Sequence, residues 1–296
     1  MERLYSTETF IQTSAKIDKV CEWLSSVGIN YSKTRIQNYK QIFEFLAKCQ
    51  LGGSVESFHE KYTIKEFVNA AYEIADLERI YEGLNSLQDS EMKGRLRNAV
   101  KGHNLYVMDT HNRSGRDITF ELVVAAKFAR PNYRIDFGDD ADVKVQIGGT
   151  PFFIECKRLK SCKKVRKRIK EGLKQLHRRY GASGYPNEAR GMLALSIGKT
   201  VNPKLGLIEA SSQAELGEKA SAYNKEFINN YGQLWHTCRD PRTLGAAIFF
   251  DVPGMLMPQQ RVERCHEVMF NNAVPEGTDG YHFLFDTVGS VFHGWN

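Results

Sequence analysis

The stretch ADVKVQIGGTPFFIECK, residues 141–157, constrains the fold more than any other part of the chain. Val143, Val145 and Ile147 alternate with Asp142, Lys144 and Gln146, the period-two pattern of a half-buried strand. Gly148-Gly149 supplies the positive φ angles that a tight hairpin turn needs. PFFIECK then returns as a second, antiparallel strand. Its side chains alternate, with Phe152, Ile154 and Cys156 on one face and Phe153, Glu155 and Lys157 on the other. Glu155 and Lys157 are therefore about 7 Å apart along one face, and the hairpin carries Asp142 toward Glu155. Charged residues at the ends of two apolar strands need a purpose.

The flanking segments place this hairpin in an α/β sheet. SGRDITFELVVAAKFAR reads as a helix, with Ser114 and Asp117 at capping-box spacing and an apolar stripe of Phe120, Val123, Val124 and Phe128. Pro131 ends it. YRIDF is a short strand, followed by the acidic turn GDD, and a basic helix runs from after the hairpin to about Tyr180. GMLALSI and LGAAIFFD read as buried strands, residues 211–238 as helical, and HFLFD, residues 282–286, as a late strand. From residue 117 the order is helix, three strands, helix, strand and additions, an α/β sheet with helices packed against it.

Residues 7–108 differ. IDKVCEWLSSV, TRIQNYKQIFEFLAKC, TIKEFVNAAYEIADLERIYEGL and EMKGRLRNAVKG each repeat apolar residues at three- and four-residue spacing. The expected organisation is a helical module over 1–110 and an α/β domain over 111–296. Within the module, a helix-turn-helix with Gly28 in its turn and Lys33, Arg35 and Lys40 on its second helix is one reading; plain helix packing is the stronger. Trp23, Trp235 and Trp295 read as core or interface residues.

Two carboxylates held close together favour a cation between them. Mg²⁺ takes one or two carboxylates and completes its shell with water and phosphate oxygens. It acidifies a bound water and withdraws charge from a phosphoryl oxygen, and a neighbouring lysine can orient that water or neutralise the transition state. Asp142, Glu155 and Lys157 make such a working set for phosphodiester hydrolysis. Asp136, Asp139 and Asp140 compete for the aspartate role, and Asp251 stands at the end of a strand. Residues 157–179 hold twelve Lys or Arg and one acid, +11 of a net +6, so the rest of the chain sums to −5. A stripe of that density suits a polyanion. Lys163, Lys164, Arg166, Lys167, Arg168 and Lys170 are the expected phosphate contacts. Lys127 and Arg130 extend the basic surface, and Arg113 and Arg116 precede a helix N-terminus.

Asp142, a twelve-residue gap, and Glu155-Cys156-Lys157 resemble the PD-(D/E)xK nuclease superfamily, over about residues 115–200. The resemblance implies a restriction-endonuclease-like mixed β-sheet flanked by helices. It also implies an Mg²⁺-dependent nuclease, with Mn²⁺ as the substitute ion. Asp142 and Glu155 would hold the metal, joined by the backbone carbonyl of Cys156 and by Glu121 of the preceding helix, and Lys157 would serve the attacking water. Ala141 stands where the motif has proline. Gln175 is a further site residue, although Gln175 and Tyr180 are one residue too far apart for the Q-x-x-x-Y of exonuclease-like members. DNA is favoured over RNA as substrate. Restriction or antiphage defence, a homodimer and a defence-system partner protein follow by the same analogy.

Two other readings compete. One is a catalytically silent nucleic-acid-binding module whose helical part recruits a partner; the other is a small-molecule enzyme with an incidental lysine stripe. The six cysteines form no C-x-x-C pair, which argues against a zinc ribbon; Cys265-His266 and His236 near Cys238 read as ordinary core or surface residues. No apolar run approaches the length of a membrane span, and MERLYSTETF lacks the layout of a signal peptide. A cytoplasmic protein is expected.

Overall fold

The computed structural model describes residues 2–5, 9–52, 56–87, 89–110, 115–138, 141–181, 188–257 and 261–292. Arg113, Ser114, Asp139, Asp140 and Trp295 lie outside the described residues. The chain divides into two compact units, residues 6–126 and residues 1–5 with 127–296.

The first unit is helical. It contains α1 (Phe10–Ser26), α2 (Arg35–Gln50), α3 (Glu56–Lys61), α4 (Ile64–Leu84), α5 (Ser90–Ala99) and most of α6 (Gly115–Lys127). Local chemistry sets the starts: Thr9 and Thr63 form capping boxes with Gln12 and Glu66, and Asp89 caps α5. At the centre of the unit Glu73 is buried between two guanidiniums. Arg35 Nε donates to it at 2.7 Å, Arg116 Nε at 2.6 Å and the Tyr39 hydroxyl at 2.9 Å. Burial works to raise the Glu73 pKa, but Arg116 and Arg35 outweigh it and hold the carboxyl below its ordinary range. This hub ties α2, α4 and α6 together. It corrects two sequence expectations: Arg35 is 1% exposed and Arg116 5%, so neither presents its charge to a nucleic acid. Lys40 is engaged by Asp18 and Glu44.

The second unit is built on one mixed sheet. Its strands are β1 (Glu2–Tyr5), β2 (Tyr133–Asp136), β3 (Val143–Ile147), β4 (Thr150–Arg158), β5 (Arg190–Ser196), β6 (Ile208–Ala210), β7 (Thr243–Leu256) and β8 (Arg261–Asn272). The order is β1-β8-β7-β5-β4-β3-β2, with β6 added to β7. β4, β5 and β7 run parallel, and the flanking pairs are antiparallel. The chain is therefore α/β, helical in its N-terminal part and then a mixed sheet flanked by helices, and α6-β2-β3-β4-α7-β5 follows the expected order.

Helix α7 (Val165–Gly181) makes the crossover from β4 to β5. It lies with α9 (Gln213–Tyr231) and α10 (Gln233–Thr237) on one face, over Phe153, Leu193, Leu195, Ile248 and Phe250. On the other face Phe152 meets Phe128 and Phe283 at centroid distances of 5.9 and 5.7 Å. The short helix α8 (Gly198–Val201) follows β5.

Several sequence expectations are corrected here. HFLFD is helical: α11 (Asp279–Phe283), capped by Thr278, continues through a π-helical turn at Leu284–Val288 into α12 (Gly289–Phe292). Lys127 is 2% exposed and adds nothing to a basic surface. Asp251 lies inside β7 rather than at its end, and accepts from His266 Nδ1 at 2.7 Å and Arg264 Nε at 3.0 Å. No helix among the described residues is long and apolar enough to cross a membrane.

Candidate active site

The hairpin forms as its sequence dictates. Gly148 and Gly149 adopt φ of 54° and 87°, the left-handed region that glycine enters at little cost. Val143 pairs with Ile154, and continuing that antiparallel register by one residue sets Asp142 opposite Glu155. The backbone N–H of Cys156 donates to Asp142 Oδ2 at 2.8 Å, which fixes the carboxylate at the end of β4.

Three oxygens converge on one cation. Lys157 Nζ donates to Glu155 Oε2 at 3.2 Å, to Asp142 Oδ2 at 3.3 Å and to the Cys156 carbonyl at 3.1 Å. These are the acceptors that the motif resemblance assigns to a metal, and in this structure the ammonium stands among them. The Glu155 side chain is 0% exposed, Lys157 13% and Asp142 26%, so the site opens on the Asp142 side.

Burial, and then the negative charge of Asp142, push the Glu155 carboxyl up to about 7, against the lowering pull of Lys157 and Arg179. For Lys157, burial works against the charged form, but Asp142 and Glu155 outweigh it and hold the amine above its ordinary range. Burial, ahead of the charge of Asp142, is thus what most disfavours the ionised Glu155.

Helix α7 closes the site from above with the residues of one face. Gly172, Gln175 and Arg179 recur at helical spacing. A Cβ on Gly172 would lie 3.5 Å from Lys157 Cγ and 2.9 Å from Leu193 Cδ2, so glycine makes room for the lysine stem. Arg179 Nε approaches Glu155 Oε1 at 3.6 Å. Among the described residues, Glu155 Oε1, Gln175 Oε1 and Arg179 Nε are buried without a hydrogen-bond partner. Sequence reasoning missed Gly172 and Arg179, although their spacing from Gln175 on an amphipathic helix was a usable signal.

Glu155 Oε2, Asp142 Oδ2 and the Cys156 carbonyl are three hard oxygens around one position and fit a hard divalent cation, while Glu155 Oε1 turns toward Arg179. The described residues hold no cluster of three or more His, Cys, Asp or Glu side chains at metal-binding spacing. The set that converges is two carboxylates and a backbone carbonyl. Glu121 belongs to the helical unit, where it accepts from Arg95 at 2.7 Å. Asp136 pairs with Lys144 on neighbouring strands.

The basic residues occupy the turn before α7 and the other side of that helix. Val165, Ile169, Leu173 and Leu176 pack on the sheet, while Lys163, Lys164, Arg166, Lys167 and Lys170 are exposed and Arg168 is half-buried. Arg168 and Lys167 approach Glu171 at 3.0 and 3.9 Å. The cations thus sit beside the carboxylate centre but face away from it.

No protein-family model, curated protein or solved structure matches the chain.

Proposed function

We propose that the chain is a divalent-cation-dependent nuclease of the PD-(D/E)xK type. The observation that carries this reading is the convergence of Asp142, Glu155 and the Cys156 carbonyl within 3.3 Å of one cation position, held there by Lys157. Asp142, Glu155 and the Cys156 carbonyl would hold Mg²⁺ or Mn²⁺. The ion supplies an acidified water and charge withdrawal from the scissile phosphate. With the carboxylates so engaged, Lys157 is released to orient the attacking water or to neutralise charge developing on the phosphoryl oxygens. Gln175 and Arg179 keep the buried side of the site polar. The outward cations of α7 hold the strand through its phosphates rather than at the reacting atom. DNA is the favoured substrate, and a cytoplasmic role in antiphage defence is the setting that the motif suggests.

The test is incubation of the full chain with plasmid DNA, linear DNA and RNA in Mg²⁺ or Mn²⁺, beside Glu155→Ala and an EDTA arm. Wild type is expected to cut at least one substrate, and the substitution or EDTA to abolish cutting. If wild type and Glu155→Ala bind equally and neither cuts, the reading fails. The exposed cations of α7 would then favour a silent binding module. Neutralising Lys163, Lys164 and Lys167 together should weaken binding and flatten its salt dependence.

A further inference from the structure

A cleft of about 280 Å³ lies between the start of α7, α8 and α9. It is separate from the carboxylate centre, and the motif does not account for it. Three aromatic residues form the α9 side of its wall. Tyr223, Phe227 and Tyr231 recur every four residues on α9, and Glu226 and Asn230 form the neighbouring stripe. The Phe227 and Tyr231 rings stand 4.9 Å apart, and the Arg166 guanidinium lies 5.6 Å over Tyr231.

We infer that this cleft receives one unstacked nucleobase of the bound strand. The inference rests on the nucleic-acid reading of the site above. Charge selects the kind of occupant. The residues lining the cleft include a carboxylate, Glu226, and no Lys or Arg, so a phosphate is repelled from the interior. The rim is the reverse, with Arg166 beside the exposed Lys163, Lys164 and Lys167. A neutral aromatic group carried on an anionic chain satisfies both. Rings supply a stacking surface of that kind, and Asn230, Glu226 and Thr200 offer donors and acceptors to a base edge. The volume lies near the lower bound for ligand pockets, which suits a single ring system.

Position agrees with this assignment. Val165 lines the cleft, and Gly172 abuts the Lys157 stem on the same helix. Seven residues of helix separate them by about 10 Å, roughly three stacked nucleotides. A base captured here would fix the register of the strand as it passes toward Asp142.

The experiment uses the full chain in EDTA, where cutting is suppressed, with single-stranded DNA scanned by an abasic nucleotide at each position. One abasic position should weaken wild-type binding on the order of 5- to 150-fold, the usual worth of one stacked base. Tyr231→Ala should cost a similar factor on intact DNA and add nothing on the abasic strand. Tyr223→Ala, at a ring 37% exposed, repeats the test with less risk to folding. Cys162 lines the cleft and is exposed, as is Cys238 outside it. Saturating DNA should slow iodoacetamide alkylation of Cys162 and leave Cys238 unchanged. A flat abasic scan, additive losses, or unaltered Cys162 alkylation would overturn the inference, as would absence of any binding. Binding with an abasic-sensitive position but no Mg²⁺-dependent cleavage would sink the nuclease reading alone. Cleavage with a flat scan would sink the cleft alone.

Discussion

Glu155→Gln should make the metal-free protein more stable at alkaline pH while abolishing activity. Glu155 is fully buried with an ordinary pKa of 4.5 and a folded-state value of about 7. The neutral carboxyl contributes stability that is fully present below about pH 4.5 and is lost as pH rises through about 7. The gap, at about 1.36 kcal/mol per pH unit, amounts to about 3 kcal/mol. Glutamine keeps a carbonyl for the Lys157 ammonium and carries no charge, so the variant escapes that penalty. In EDTA at pH 8 it should melt roughly 6–12 °C above wild type, and at pH 4 the two should coincide. Differential scanning calorimetry across this range is the assay. Asp142→Asn removes the like charge and should move the wild-type transition part of the way. Equal melting temperatures at pH 8, or a difference that does not change with pH, would show that Glu155 is not held against its charge and would remove the electrostatic case for a cation there.

Gly172→Leu should disturb the site through packing. Its Cβ would lie 2.9 Å from Leu193 Cδ2 and 3.5 Å from Lys157 Cγ, so an overpacking loss of about 1–3 kcal/mol is expected by urea titration, with impaired cleavage because the lysine stem is displaced. Glu73→Ala strands two buried guanidiniums and should destabilise the helical unit by about 3–5 kcal/mol, read as early loss of amide-exchange protection in α2 and α4.

The hairpin and its charged residues were legible because every local signal agreed: strict alternation, a Gly-Gly turn and apolar strands on both sides. The geometry of Asp142, Glu155 and Lys157 followed from register alone. The shielding of the site was less legible. Gly172 and Arg179 are ordinary residues of a basic helix until α7 is laid on β4, and only then does the face they share with Gln175 become the one that meets the site. Strand β8 was missed because RVERCHEVMFNN carries four charged residues and a histidine, which mask its alternation. In the structure Glu263, Arg264, His266 and Glu267 are all buried, with Arg264 and His266 engaged by Asp251 and Glu263 by Gln213, groups distant in sequence. HFLFD failed in the opposite direction. Its aromatic content favours a strand, but the Thr278 cap, four residues before the stretch begins, starts a helix. Arg35 and Arg116 read as surface cations because nothing in their own segments reveals Glu73 as their partner.

Glu2 lies opposite Val268, so β1 waits for a partner made more than 250 residues later. At about 5–20 residues per second, the delay over roughly 260 residues is about 13–50 s. When β8 emerges, its outer edge stays unprotected until β1 pairs with it across that separation, a long-range closure expected to come late. An open edge of this kind recruits neighbouring nascent chains. A bulky group fused just ahead of β1 burdens the very strand that must seal this edge.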